Sequence, residues 1–124
     1  VTREFLLKYP ELFRSNIEYV SKIVHENELL IFQAHPFRTD KMRRISTDLI
    51  DGMEIYNGHA NFDPKKEITA EYIKENNVKA ISGSDCHSLL ALGKGGIEVE
   101  KKIFNDDDLL NLLRQGDGIK IIEK

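Results

Sequence analysis

Val78-Lys79-Ala80-Ile81-Ser82-Gly83-Ser84-Asp85-Cys86-His87 decides how this chain is read. A short apolar, β-branched run stops abruptly in small and polar residues, the pattern of a strand over 78–81 that delivers side chains to a loop at its carboxyl end. Two other runs in the 124-residue chain end the same way. Leu29-Leu30-Ile31-Phe32 is continuously apolar, as a strand covered on both faces should be, and leads into Ala34-His35-Pro36-Phe37-Arg38. Met53-Glu54-Ile55-Tyr56 alternates and leads into Asn57-Gly58-His59-Ala60-Asn61.

Helical segments lie between these strands. Ser15-Asn16-Ile17-Glu18 matches a capping box, after which Ile17, Val20, Ile23 and Val24 share one face up to about Asn27. A short helix is expected from Lys41 to Leu49, with Lys41, Arg43 and Arg44 on a solvated face. Asp63-Pro64 is a cap followed by proline at the first helical position, opening a helix to about Asn77 that buries Ile68, Tyr72 and Ile73. Ile97 to Ile103 reads as a fourth strand. Asn105 caps a last helix with Leu109, Leu110, Leu112 and Leu113 inward and Gly116 at its end, and Ile119-Lys120-Ile121-Ile122 is a final strand. Alternation of this kind predicts an α/β fold with parallel strands and crossover helices, whose ligands gather where the strands end.

Composition narrows the function. With 40% hydrophobic and 31% charged residues the chain is an ordinary globular sequence, and its net charge of −3 argues against a generic electrostatic nucleic-acid binder. No apolar run approaches the ~20 residues of a membrane span, and Val1-Thr2-Arg3-Glu4-Phe5 has no signal-peptide core. The single cysteine, Cys86, excludes an internal disulfide framework. A cytoplasmic protein is the expectation. A complete eight-stranded α/β barrel needs ~250 residues, twice what is here.

Asp85 and His87 stand two apart at a strand end, where an extended backbone would aim both the same way and Cys86 away, toward the packing, as a buried thiol. With His35 at a neighbouring strand end they form a mixed nitrogen and oxygen donor set suited to Zn, Mn or Fe. Other features take plainer readings. His25 is a solvated residue near a helix end, and Asp106-Asp107-Asp108 complements the positive end of its helix. Gly93-Lys94-Gly95-Gly96 lacks the spacing of a nucleotide-binding loop and reads as a loop at the rim of the site.

From Leu29 to about Gln115 the sequence resembles the C-terminal half of the PHP (polymerase and histidinol phosphatase) family. The resemblance is carried by Ala34-His35-Pro36-Phe37-Arg38, Glu54-Ile55-Tyr56-Asn57-Gly58, Gly83-Ser84-Asp85-Cys86-His87 and Leu92-Gly93-Lys94-Gly95-Gly96. It implies residues 1–124 as a partial domain, the C-terminal half of a distorted (β/α)7 barrel, belonging to a metal-dependent phosphoesterase. His35 resembles the ligand of the family's third motif, and Asp85 and His87 those of the fourth; the cofactor implied is a group of divalent ions, Mn, Zn or Fe. Arg38 and His59 are the candidates for substrate contact. The family's first motif, His-X-His, has no counterpart here, so about a third of the ligand set is present and this chain alone is expected to be inactive.

A non-catalytic PHP-like binding or regulatory module is the alternative, and a metal-dependent hydrolase of C–N bonds ranks below it. Expected partners are a phosphorylated small molecule, or a nucleotide or nucleic-acid end, with no membrane. Self-association is expected through sheet edges that a missing half would cover.

Overall fold

The computed structural model describes residues 2–39, 44–59 and 65–124. Helix α1 (Arg3–Lys8) and a 3-10 turn (Pro10–Arg14) precede helix α2 (Ile17–Glu26). Strand β1 (Phe32–Gln33), a 3-10 turn (Thr47–Leu49), strand β2 (Gly52–Asn57), helix α3 (Lys66–Glu75) and strand β3 (Lys79–Gly83) follow. A 3-10 turn (Leu89–Ala91), strand β4 (Gly95–Val99), helix α4 (Asp106–Gln115) and strand β5 (Ile119–Glu123) complete the order. The fold is α/β: β1, β2 and β3 make a parallel three-stranded sheet in that order, and β4 and β5 a separate antiparallel pair.

The antiparallel pair corrects the expectation of parallel strands throughout, and among the described residues the strands do not close into a barrel. Antiparallel neighbours can be reached by any connection, so the helix between β4 and β5 did not by itself dictate a parallel partner. The pair is stitched to β3 by serine side chains instead of a ladder. Ser82 Oγ donates to the Ile122 carbonyl at 3.0 Å and accepts from Gly96 N at 3.1 Å. Ser84 Oγ donates to the Gly95 carbonyl at 2.7 Å. Gly95 sits so close that a Cβ there would meet the Gly83 carbonyl oxygen at 2.1 Å. Gly95 thus serves close packing, and with Gly96 it opens β4 instead of forming a rim loop.

The core is small and lies under the amino end of β2, where Ile50, Met53 and Ile73 cluster with Ile31, Ile45, Ile55, Tyr72, Val78 and Ala80. Edge-on contact of Phe37 with Tyr72, centroids 5.5 Å apart, pins the loop after β1 to α3. Arg44 lies over both rings. The chain around Thr47–Leu49 is a 3-10 turn, not the helix expected from Lys41, and Lys41 and Arg43 lie outside the described residues, as does the Asp63-Pro64 cap. Strand β1 is shorter than the Leu29–Phe32 run because Asp51 captures Ile31 before the ladder begins. The Asp51 amide donates to the Ile31 carbonyl at 2.8 Å, and Asp51 Oδ2 accepts from Ile31 N at 2.8 Å. The same carboxylate meets His25 Nε2 at 3.0 Å, fastening α2 to the sheet.

Local capping is mostly as the sequence predicts. Asn105 Oδ1 accepts from Asp108 N at 2.9 Å and Asp108 Oδ2 accepts from Phe104 N at 3.0 Å, so the acidic run is cap and first turn of α4. Gly116 ends that helix with φ +76°, a left-handed position natural to glycine. At α2 the cap is Asn16, whose side chain accepts from Tyr19 N; Ser15 turns back to donate to the Glu11 carbonyl and is not the cap. Ile68 is half exposed and Leu109 faces solvent more than expected, because α3 and α4 bury narrower stripes, centred on Thr69 and Ile73 and on Leu112. No helix among the described residues is long and apolar enough to cross a membrane.

Candidate functional site

The carboxyl ends of β1, β2 and β3 lie side by side because the strands are parallel: Phe32 faces Gly52, and Asn57 faces Gly83 after a register shift between Glu54 and Tyr56. Each end carries polar side chains that the sheet brings within hydrogen-bond reach. His35 and Asp85 both adopt left-handed backbone, φ +31° and +44°. For residues other than glycine this costs of order 1–3 kcal/mol and persists where surrounding contacts over-determine it, often at functional positions. Glu28 and Asn77, the other two, simply follow helix ends.

His35 is held by its backbone. Its amide donates to Glu54 Oε2 at 2.8 Å, its carbonyl closes a turn by accepting from Arg38 N at 3.2 Å, and Pro36 inside that turn is fully buried. Its ring is left incomplete. His35 Nδ1 is buried without a hydrogen-bond partner, alone in this among the side-chain atoms of the described residues. An unsatisfied buried polar atom costs about 1–3 kcal/mol, and such an atom calls for an explanation.

From Glu54 the contacts run outward. Asn57 Nδ2 donates to Glu54 Oε2 at 2.9 Å, and Asn57 Oδ1 accepts from Arg38 Nη2 at 2.8 Å and from His59 N at 3.1 Å. Arg38 Nη2 also donates to Asp85 Oδ2 at 2.9 Å. Asp85 Oδ1 meets His87 Nε2 at 3.1 Å, and the rings of His87 and His59 stand edge to face with centroids 5.5 Å apart. Burial pushes the Asp85 carboxyl up, but the hydrogen bond and positive charge of Arg38, with smaller help from His87 and Asn57, outweigh it and hold the carboxyl below its ordinary value.

The structure therefore gathers Arg38, His59, Asp85 and His87 into one cluster and ties His35 to it through Glu54 and Asn57. Asp85 and His87 meet through the kink at Asp85, not through extended alternation. Cys86 is exposed, with Sγ near the Ser88 carbonyl, which corrects the expectation of a buried thiol. The kink that turns Asp85 and His87 toward each other also turns Cys86 out. Glu54 was read as one residue of an alternating strand, and its place in the site was missed. The alternation carries no signal for it; the role follows from burial, which obliges a carboxylate to find partners.

As metal donors, an unpartnered imidazole nitrogen, a carboxylate and a second imidazole are right in kind for a divalent cation. Their number and placement fall short. Among the described residues no three His, Cys, Asp or Glu side chains gather as a metal-holding group, and Asp85 already faces the Arg38 cation.

Residues 65–117 match the family described as PHP-associated. This stretch is similar to that family, whose match spans less than half of the chain. The PHP-associated match takes in α3, β3, Asp85, His87, β4 and α4, while His35, Arg38, Glu54, Asn57 and His59 lie before it. No curated protein matches the chain.

Proposed function

We propose that this chain is the C-terminal part of a metal-dependent phosphoesterase, a partial PHP domain in which His35, Asp85 and His87 are metal ligands and Arg38 and His59 face the phosphate. The observation that carries the reading is the buried, unpartnered Nδ1 of His35, a residue whose backbone is tied through Glu54 and Asn57 to the cluster of ionisable side chains. A bound divalent cation supplies a nucleophile from water at neutral pH and stabilises charge on the phosphoryl oxygens. The chain's own residues bind and orient. Arg38 is held on Asn57 and Asp85 before any ligand arrives, so its planar fork is pre-set to grip phosphate oxygens. His59, fixed through its amide on Asn57, stands beside His87 where it can hold a proton near a leaving group. With three ligands the set is partial, and further ligands would be needed to complete it. The outer edge of β1 has no strand neighbour among the described residues, which supports self-association through that edge.

The test is metal content of the purified chain by mass spectrometry, beside His35→Ala, Asp85→Ala and His87→Ala. Near-stoichiometric Mn, Zn or Fe that is lost in the variants is the expected result; equal metal in all four proteins would sink the ligand assignment. A second reading, a PHP-like module that binds without catalysis, draws on the Arg38–Asp85 ion pair, since a cationic side chain already occupies the carboxylate. Absence of metal from the chain, even when mixed with the remaining ligand-bearing segment, would favour it.

A further inference from the structure

The geometry points to Glu54 as the positioning residue of the site, setting the conformation of His35 through one hydrogen bond and the direction of Arg38 through another. It shares the site with the phosphoesterase reading and rests on it only for its catalytic meaning. Glu54 is buried to 8% exposure in the middle of β2, an unusual place for a carboxylate unless its oxygens are used. One of them, Oε2, serves two strand ends at once. Oε2 receives the His35 amide at 2.8 Å, which fixes the left-handed backbone that aims the ring, and it receives Asn57 Nδ2 at 2.9 Å.

The second bond has a consequence for charge. The Glu54 oxygen that accepts from the His35 amide also accepts from Asn57, so the donor end of the Asn57 amide faces it and the oxygen end faces the other way. That oxygen is what Arg38 Nη2 donates to at 2.8 Å on its way to Asp85. A guanidinium only donates, so a flipped Asn57 would set donor against donor at Arg38 and acceptor against acceptor at Glu54. One buried carboxylate thereby selects a single orientation for the cation that meets Asp85.

The fold also clears space for it. A Cβ on Gly83, at the end of β3, would come within 2.7 Å of Glu54 Oε1. The third strand end thus accommodates the same carboxylate that bonds the first and braces the second.

The experiment compares wild type, Glu54→Ala, Glu54→Gln, Asn57→Ala and the core control Ile73→Ala by NMR, without metal or substrate. The readouts are hydrogen exchange at the His35 amide and the resolved guanidinium signals of Arg38. In Glu54→Ala the His35 amide should exchange about tenfold faster or more than in Ile73→Ala, matching loss of a charge-assisted hydrogen bond, and the Arg38 signals should average. Glu54→Gln keeps an oxygen that can accept both bonds and should restore the Arg38 signals. Asn57→Ala should free Arg38 while leaving the His35 amide protected, and it carries the test together with Glu54→Gln if Glu54→Ala does not fold.

Changes in Glu54→Ala no larger than in Ile73→Ala, averaged Arg38 signals in Glu54→Gln, or an Arg38 still ordered in Asn57→Ala would each overturn the assignment. A chain that binds no metal would defeat the phosphoesterase reading and leave these signals as they are, so the two failures are distinguishable.

Discussion

The two halves of β2 bury different chemistry. Its amino end, with Met53 fully enclosed beside Ile50 and Ile73, is an apolar core held by packing alone. The stretch from Glu54 to Asn57 also buries polar side chains, Glu54 and Asn57, to nearly the same degree, and these are held by directed hydrogen bonds. A packed apolar core tolerates any side chain of the right volume, whereas a polar network depends on each donor finding its acceptor. From Glu54 on, the strand therefore carries both roles, since Ile55 still packs against the core while Glu54 and Asn57 make the hydrogen bonds.

The largest expected effect lies at the apolar end. Met53→Ala should destabilise the chain by about 3 kcal/mol, since it leaves a cavity among fixed neighbours, and denaturant unfolding measures it. Met53→Leu, which conserves volume, should cost less than about 1.5 kcal/mol. Asn57→Leu is equally close in size to what it replaces, yet should cost about 2 kcal/mol, because Glu54, Arg38 and the His59 amide each lose a partner. If both leucine variants proved equally mild, the distinction between the two halves would collapse.

The smallest effect is electrostatic and depends on pH. In chelator-treated protein, Arg38→Gln should let the Asp85 carboxyl rise toward its ordinary value of about 4, read by carbon NMR of the carboxyl group. Because Arg38 holds that carboxyl low, the pair contributes stability above pH ~4 and loses it as pH falls through the depressed value. The stability gap between wild type and Arg38→Gln should therefore narrow in acid. A gap that stayed constant down to pH 2 would mean that Arg38 acts through packing and not through charge.

Much of the site was legible because strand ends concentrate polar residues. His35, Arg38, His59, Asp85 and His87 each follow an apolar run, and the parallel order of β1, β2 and β3 brings those ends together. Glu54 was not legible, since alternation along Met53-Glu54-Ile55-Tyr56 suggests one wet face, and only the covering of both faces shows the carboxylate to be buried. The buried setting expected for Cys86 failed at the kink for a related reason: side-chain direction was inferred from extended backbone that Asp85 does not adopt.

What the sequence by itself determined is whatever depends on a few consecutive residues: the Asn105 and Gly116 ends of α4, the face of α2 that carries Ile23 and Val24, and the nearness of Asp85 to His87. Backbone sterics and capping hydrogen bonds act over one or two turns, so their outcome is written locally. Tertiary structure alone decided the antiparallel pairing of β4 with β5, the serine stitching to β3, and the relay from Glu54 through Asn57 to an Arg38 that bonds a residue 47 positions away. Those contacts join segments whose separation in the chain carries no periodic signal, and the burial that makes them strong exists only once the sheets have packed.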